Sequence, residues 1–173
     1  MSGYTNIQLV VLTEETAMVV RNWRNSSRIS QFMEFREEIP VEDQLAWFKS
    51  VKKSDDRYFT IHFNGEAVGL IHLNRMSVQK QEAYAGLFIG NKHFEGTGIA
   101  FPASIQLLDL AFEELPLRVV FAKVHKLNKR ALDYNLALGF FKDGMESKDF
   151  IRLKLTKNQY VSKRKELIKL LSL

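Results

Sequence analysis

Cysteine is absent from the 173 residues. Disulfide frameworks, thiolate zinc sites and cysteine nucleophiles are therefore excluded, and any chemistry must run on oxygen and nitrogen groups. Long apolar runs are missing too. No segment approaches the ~20 residues that cross a bilayer, and residues 1–8 lack a basic stretch followed by an apolar one. The expectation is a cytoplasmic protein with no membrane partner. Lys and Arg outnumber Asp and Glu by 25 to 20, yet they do not cluster. Only Lys163, Arg164 and Lys165 run together, so the surplus reads as a solvated face, or as a site for a phosphate-rich small molecule, and not as a nucleic-acid surface. Repeats, low-complexity segments and linkers are not found, and no metal site is assigned. One domain is expected over residues 1–157, with an added C-terminal helix over 158–173.

What is present is an alternation of strand and helix patterns. Residues 7–12 read as a strand, after which Thr13 and Glu14 open a helix to about Asn25. Pro40 precedes a stretch with Leu45, Trp47, Phe48 and Val51 on one helix face, ended by Ser54, Asp55 and Asp56. Residues 58–63 then meet Asn64-Gly65, a pair that tolerates positive φ and so predicts a tight hairpin to residues 67–73. A polar loop at 77–81 leads to a strand at 83–89, a loop at 91–98 and an almost wholly apolar helix at 99–112. Pro102 fits only the first turn of that helix, where its missing N–H has no partner to lose, so the helix must begin near Gly98. Residues 119–124 read as a buried strand, Asn128 and Gly139 as the ends of a helix, 150–155 as a last strand, and 160–173 as the tail helix.

Gly96 and Gly98 let backbone N–H groups converge at a helix start, which suits a pyrophosphate. The dinucleotide pattern Gly-x-Gly-x-x-Gly is not formed, because Phe101 takes its third position. The loop reads His93-Phe94-Glu95-Gly96-Thr97-Gly98, and a second unit follows in Asn128, Ala131 and Gly139-Phe140. In order and spacing the two units resemble the GNAT acetyltransferase superfamily, although His93 stands where that family has Gln or Arg. The resemblance extends over nearly the whole chain. It implies an α/β (α+β) GNAT fold, with a mixed central sheet, splayed strands 4 and 5 and flanking helices. It further implies an enzyme that moves an acetyl group from acetyl-CoA to a primary amine and leaves CoA. The cofactor would be held by Phe88 and Ile89 through their main chain, by Glu95, Gly96, Thr97, Gly98 and Ile99 at the pyrophosphate, and by His93 and Asn128. Asn128 reads equally as a plain N-cap.

Many members carry a Tyr seven residues after the Asn, as the acid that protonates the sulfur. Here Asn135 stands there and Tyr134 is one residue early. Asn135 is therefore the expected hydrogen-bond donor near the sulfur, with Tyr134 as the alternative acid. Glu82, His72 and His125 are the candidate bases, unless water serves.

The segment Trp23-Arg24-Asn25, with Met33 and Trp47 following, resembles the nucleotide-sugar branch, which acetylates the 4-amino group of UDP-linked amino sugars. Gln44 replaces a His often found in that branch. The acceptor site implied is Trp23, Arg24, Asn25, Gln44, Arg75 and Tyr84, the two arginines meeting a diphosphate and an aromatic ring stacking on a base or sugar. The alternatives are an N-terminal acetyltransferase of the ribosomal-protein type and a non-catalytic acyl-CoA-binding module. A homodimer is left open.

Overall fold

The computed structural model describes residues 6–171. Strand β1 (Ile7–Val11) turns at Thr13 into helix α1 (Glu14–Arg24), where Thr13 and Thr16 exchange side-chain and backbone hydrogen bonds that satisfy the helix start. A short helix α2 (Ser27–Ser30) and an irregular segment lead to α3 (Val41–Val51), with Pro40 at its N-cap. Strands β2 (Arg57–Phe63) and β3 (Glu66–Ser77) are joined by Asn64 at φ 51° and Gly65 at φ 84°, the two positive values the tight turn requires. Next come β4 (Glu82–Ile89) and α4 (Ala100–Asp109), the latter running on through a π turn, Leu110–Glu114. Pro102 lies in the first turn of α4. The chain ends with β5 (Val119–His125), α5 (Lys129–Ala137), β6 (Phe141–Met145), β7 (Phe150–Thr156) and α6 (Lys157–Leu171).

The seven strands form one sheet in the order β1-β2-β3-β4-β5-β7-β6. Every neighbouring pair is antiparallel except β4 and β5, which run parallel. Their pairing ends at Ala85 opposite Ala122, although both strands continue, β4 through residues 86–89 and β5 through 123–125. From that point each presents an unpaired edge, and the sheet splits as the family resemblance implied.

One face of the sheet packs Ile71, Leu73, Ala83, Val120 and Leu153 with α4. The other face buries Leu12, Leu70, Ala17 and Val20 of α1, and Phe48 of α3. Helix α6 adds the buried Tyr160 and Leu167 to the first core, and the Arg164 guanidinium holds Asp109 through two bonds of 2.6 and 2.8 Å. Residues 172 and 173, at the end of the expected tail helix, lie outside the described residues. Two elements have no counterpart in the sequence reading. The α2 helix is a single turn, and β6 (Phe-Lys-Asp-Gly-Met) lacks β-branched residues and exists through its pairing with β7.

Candidate active site

The split between β4 and β5 opens into a cavity of about 790 Å³, lined by residues of α1, α3, β3, β4, β5, α4 and α5. Beside it runs the loop before α4, which contributes Glu95 to the lining. There Gly96 and Gly98 adopt φ of 79° and 87°. The N–H groups of Glu95 and Thr97 are engaged by the carbonyls of Lys92 and Phe94 at 3.2 and 3.4 Å, whereas those of Gly96, Gly98, Ile99 and Ala100 have no acceptor among the described residues. Four free donors at the start of a ten-residue helix form an anion cradle. This cradle begins at Gly96 and reaches Ala100, which shifts the expected stretch of Glu95 to Ile99.

Glu95 has a different task. Its carboxylate is bound by Arg28 of α2 at 2.8 Å and by Arg130 of α5. Arg28 also donates to the carbonyls of Ile89 (3.3 Å) and Gly90 (2.6 Å), so one side chain ties α2, the end of β4 and the loop together. Arg28 was not singled out from the sequence; its spacing of four from Arg24 was the available signal. His93 is exposed on the same loop and, like Gly96, Thr97, Gly98 and Ile99, lies outside the cavity lining. Phe88, Ile89 and Asn128 do line it, Asn128 also capping α5 by accepting the Ala131 N–H at 3.0 Å.

Tyr134 and Asn135 both reach the cavity. The Tyr134 hydroxyl donates to the Ala100 carbonyl at 2.9 Å and lies 2.6 Å from Ser104 Oγ, and burial raises its pKa well above that of an ordinary phenol. The Asn135 amide donates to Ala131 of its own helix at 2.8 Å.

The acceptor candidates divide. Trp23 is outside the cavity lining and packs edge-on to Phe88 over Gly90, where a Cβ would stand 1.9 Å from its ring. Asn25 pins the segment before α3 by exchanging hydrogen bonds with the backbone of Ile39 at 3.1 and 2.9 Å. Neither residue lines the cavity, and each holds a neighbouring segment in place. Arg24, Gln44, Arg75 and Tyr84 line the cavity. Gln44 is buried and donates to the Ala17 carbonyl at 2.7 Å, joining α3 to α1. Tyr84 donates to both oxygens of Glu146, at 3.2 and 3.0 Å, and Arg75 pairs with the same carboxylate at 3.4 Å. Glu146 belongs to the turn between β6 and β7 and carries no local sequence signal. Arg24 differs from the rest. Its Nε is buried without a hydrogen-bond partner, burial lowers its pKa, and no carboxylate pairs with it among the described residues.

Of the three bases considered, Glu82 stands at the paired start of β4, opposite Ser77 and Val119, with Lys80 at 3.8 Å. It does not line the cavity, and that assignment fails on position. His125 lines it, but both ring nitrogens have partners, Arg36 at 2.9 Å and the Leu127 N–H at 3.2 Å. His72 also lines it, and its buried Nδ1 has no partner.

Residues 6–140 match the family described as "Acetyltransferase (GNAT) domain". The chain belongs to that family. This acetyltransferase is 25% identical over 171 residues to the spermidine N(1)-acetyltransferase of Escherichia coli K12, covering 92% of this chain and 91% of the relative. Its fold matches the crystal structure of spermidine N-acetyltransferase from Vibrio cholerae in complex with CoA and spermine, with a TM-score of 0.83 at 18% identity over 91% of this chain and 99% of that one. A putative acetyltransferase from T. thermophilus matches with a TM-score of 0.79 at 19% identity, over 94% and 92%. The nucleotide-sugar branch is not among these relatives.

The protein is an acyl-CoA-dependent N-acetyltransferase, with acetyl-CoA as the acetyl donor and an amine as the acceptor. The free N–H groups of the cradle suit the donor's pyrophosphate, and the unpaired edge of β4 suits an extended amide-bearing chain, as a missing strand would be met. A backbone N–H on such an edge, aimed at the reacting carbonyl, contributes on the order of 3 kcal/mol to acyl transfer.

Proposed function

We propose that this acetyltransferase acts on a small primary amine that also carries an anionic group, with a UDP-linked 4-amino sugar as the named candidate. The observation that carries the reading is Arg24, a cavity-lining guanidinium with a buried, unpartnered Nε and no carboxylate beside it. A half-buried guanidinium whose Nε has no partner is costly, and an anion on the ligand supplies one. The other carboxylates of the cavity do not serve it. Glu34 is bound by Lys123 at 2.5 Å and Glu95 by Arg28 and Arg130, leaving the exposed Asp43.

A second reading, a polyamine acceptor, is favoured by the spermidine acetyltransferases that cover 92% of the chain at 25% identity. Electrostatics oppose it. A like charge ~4 Å from a partly buried guanidinium costs about 4 kcal/mol at an effective dielectric of 20.

The test is a panel of UDP-linked 4-amino sugars, spermidine and N-terminal peptides, each incubated with acetyl-CoA and followed by CoA release. The sugars should be turned over most efficiently. Arg24→Gln should raise their KM by ~10-fold or more, since a charge-assisted contact contributes about 1.5–3 kcal/mol, while acetyl-CoA affinity stays unchanged. Efficient turnover of spermidine with none of the sugars would replace this reading by the second.

A further inference from the structure

We propose that His72 is the general base of acetyl transfer, taking the proton from the acceptor nitrogen as that nitrogen bonds to the acetyl carbon. The inference rests on the acetyltransferase activity and not on which amine is used.

His72 lies in β3 directly opposite Gly86, the first residue of β4 beyond the last β4–β5 pair. A Cβ placed on Gly86 would stand 2.6 Å from His72 Cε1 and 2.8 Å from Nε2. Glycine at that position therefore lets the edge of the imidazole overhang the point where the strands part. The ring is held there by Tyr58, stacked at 4.8 Å and 21°. Nδ1 is buried without a partner, and Nε2, on the ring edge over Gly86, makes no hydrogen bond among the described residues and is the nitrogen open to an acceptor. The two competing candidates are already committed, Glu82 by position and His125 by its hydrogen bonds.

Burial, then the charges of Arg24 and Lys123, push the imidazole pKa down to about 4, so the ring is neutral and has a lone pair at neutral pH. The charged and titratable groups around the cavity come from every element packed there: Arg24 from α1, Arg28 from α2, Glu34 and Asp43 from the segment that follows and α3, Tyr58 from β2, Arg75 from β3, Tyr84 from β4, Glu95 from the loop after it, Lys123 and His125 from β5, and Arg130 and Tyr134 from α5. Arg24 and Lys123 are the charges that lower His72.

In the step itself the amine lone pair forms the C–N bond while the carbonyl electrons move to oxygen. The nitrogen, now positive and acidic, passes its proton to His72. Collapse of the oxyanion breaks the C–S bond, sulfur leaves with the electron pair and takes a proton from water, and His72 returns its proton to solvent.

The test uses whichever amine of the panel above the wild-type enzyme turns over fastest, so failure of the sugar reading changes the amine and not the experiment. In His72→Gln, kcat should fall about 100-fold or more, with acetyl-CoA affinity by calorimetry little changed. In His72→Ala, added imidazole should restore part of the rate. A His72→Gln kcat within about threefold of wild type, or a loss in His72→Ala that imidazole does not restore although acetyl-CoA still binds, overturns the proposal. Should either variant lose acetyl-CoA binding, the pH profile of wild-type kcat is set beside the His72 Cε1–H titration by NMR. A kcat that falls with acid at the His72 midpoint supports the proposal, and a kcat that stays level through that midpoint overturns it.

Discussion

Arg24 and His72 are the two side chains with a buried nitrogen that has no partner among the described residues, and both line one cavity. Their coupling is measurable. Burial is the first cause of the low His72 pKa and Arg24 the second, so Arg24→Gln should raise the midpoint from about 4 yet leave it below that of a free histidine. An NMR titration of the imidazole checks this, and an unmoved midpoint would show that the two groups do not sense each other. The sign matters for stability. Because the folded pKa is depressed, the unfolded chain binds a proton at His72 that the folded chain does not, so stability falls as the pH drops from about 6.5 towards 4. Arg24, expected as an acceptor contact from its place in Trp23-Arg24-Asn25, does line the cavity. Trp23 and Asn25 in the same triplet were not separable from it, because which side of a short helix end faces a cavity depends on the neighbours that fill the other side.

The loop between β4 and α4 is the element whose backbone was most legible. Gly96 and Gly98 do adopt positive φ, and Pro102 does mark the first turn of α4. Which N–H groups stay free was not legible, since that depends on the turn over Lys92–Phe94, whose carbonyls engage Glu95 and Thr97. Gly96→Val should therefore weaken acetyl-CoA binding by ~10-fold or more without unfolding the domain, because a β-branched residue resists φ of 79° and so turns the N–H groups of the cradle away. Calorimetry on the folded variant measures it, and unchanged affinity would remove the cradle from the donor site. Helix α5 shows the same division. Its ends at Asn128 and Gly139 were readable from residue type, whereas the Tyr134 bond to Ala100 depends on how α5 is seated against α4.

At the scale of the whole molecule the mixed sheet carries the site by failing to close, and α4 and α6 brace the face behind it. Tyr160 of α6 is 1% exposed and reaches Asp109 and the Ile105 carbonyl at 2.6 and 3.2 Å, beside the Arg164–Asp109 pair. Tyr160→Ala should cost roughly 3–5 kcal/mol, the range for deleting a large aromatic from a core, read as a lower denaturation midpoint in urea. A loss below about 0.5 kcal/mol, the size of an ordinary surface substitution, would mean that α6 is dispensable to the core. The amino-acid sequence by itself determined the order of the main strands and helices, the hairpin at Asn64-Gly65 and the donor loop, because turn chemistry, caps and apolar periodicity act within a few residues. It also carried the family, through two motifs whose spacing is local. Only the tertiary structure decided that β4 and β5 part after Ala85 and Ala122, that Glu146 gathers Tyr84 and Arg75, and that His72 alone among three candidate bases keeps a free nitrogen over Gly86. Those facts depend on which residues from distant segments share one face and which find partners there, and no local pattern encodes that.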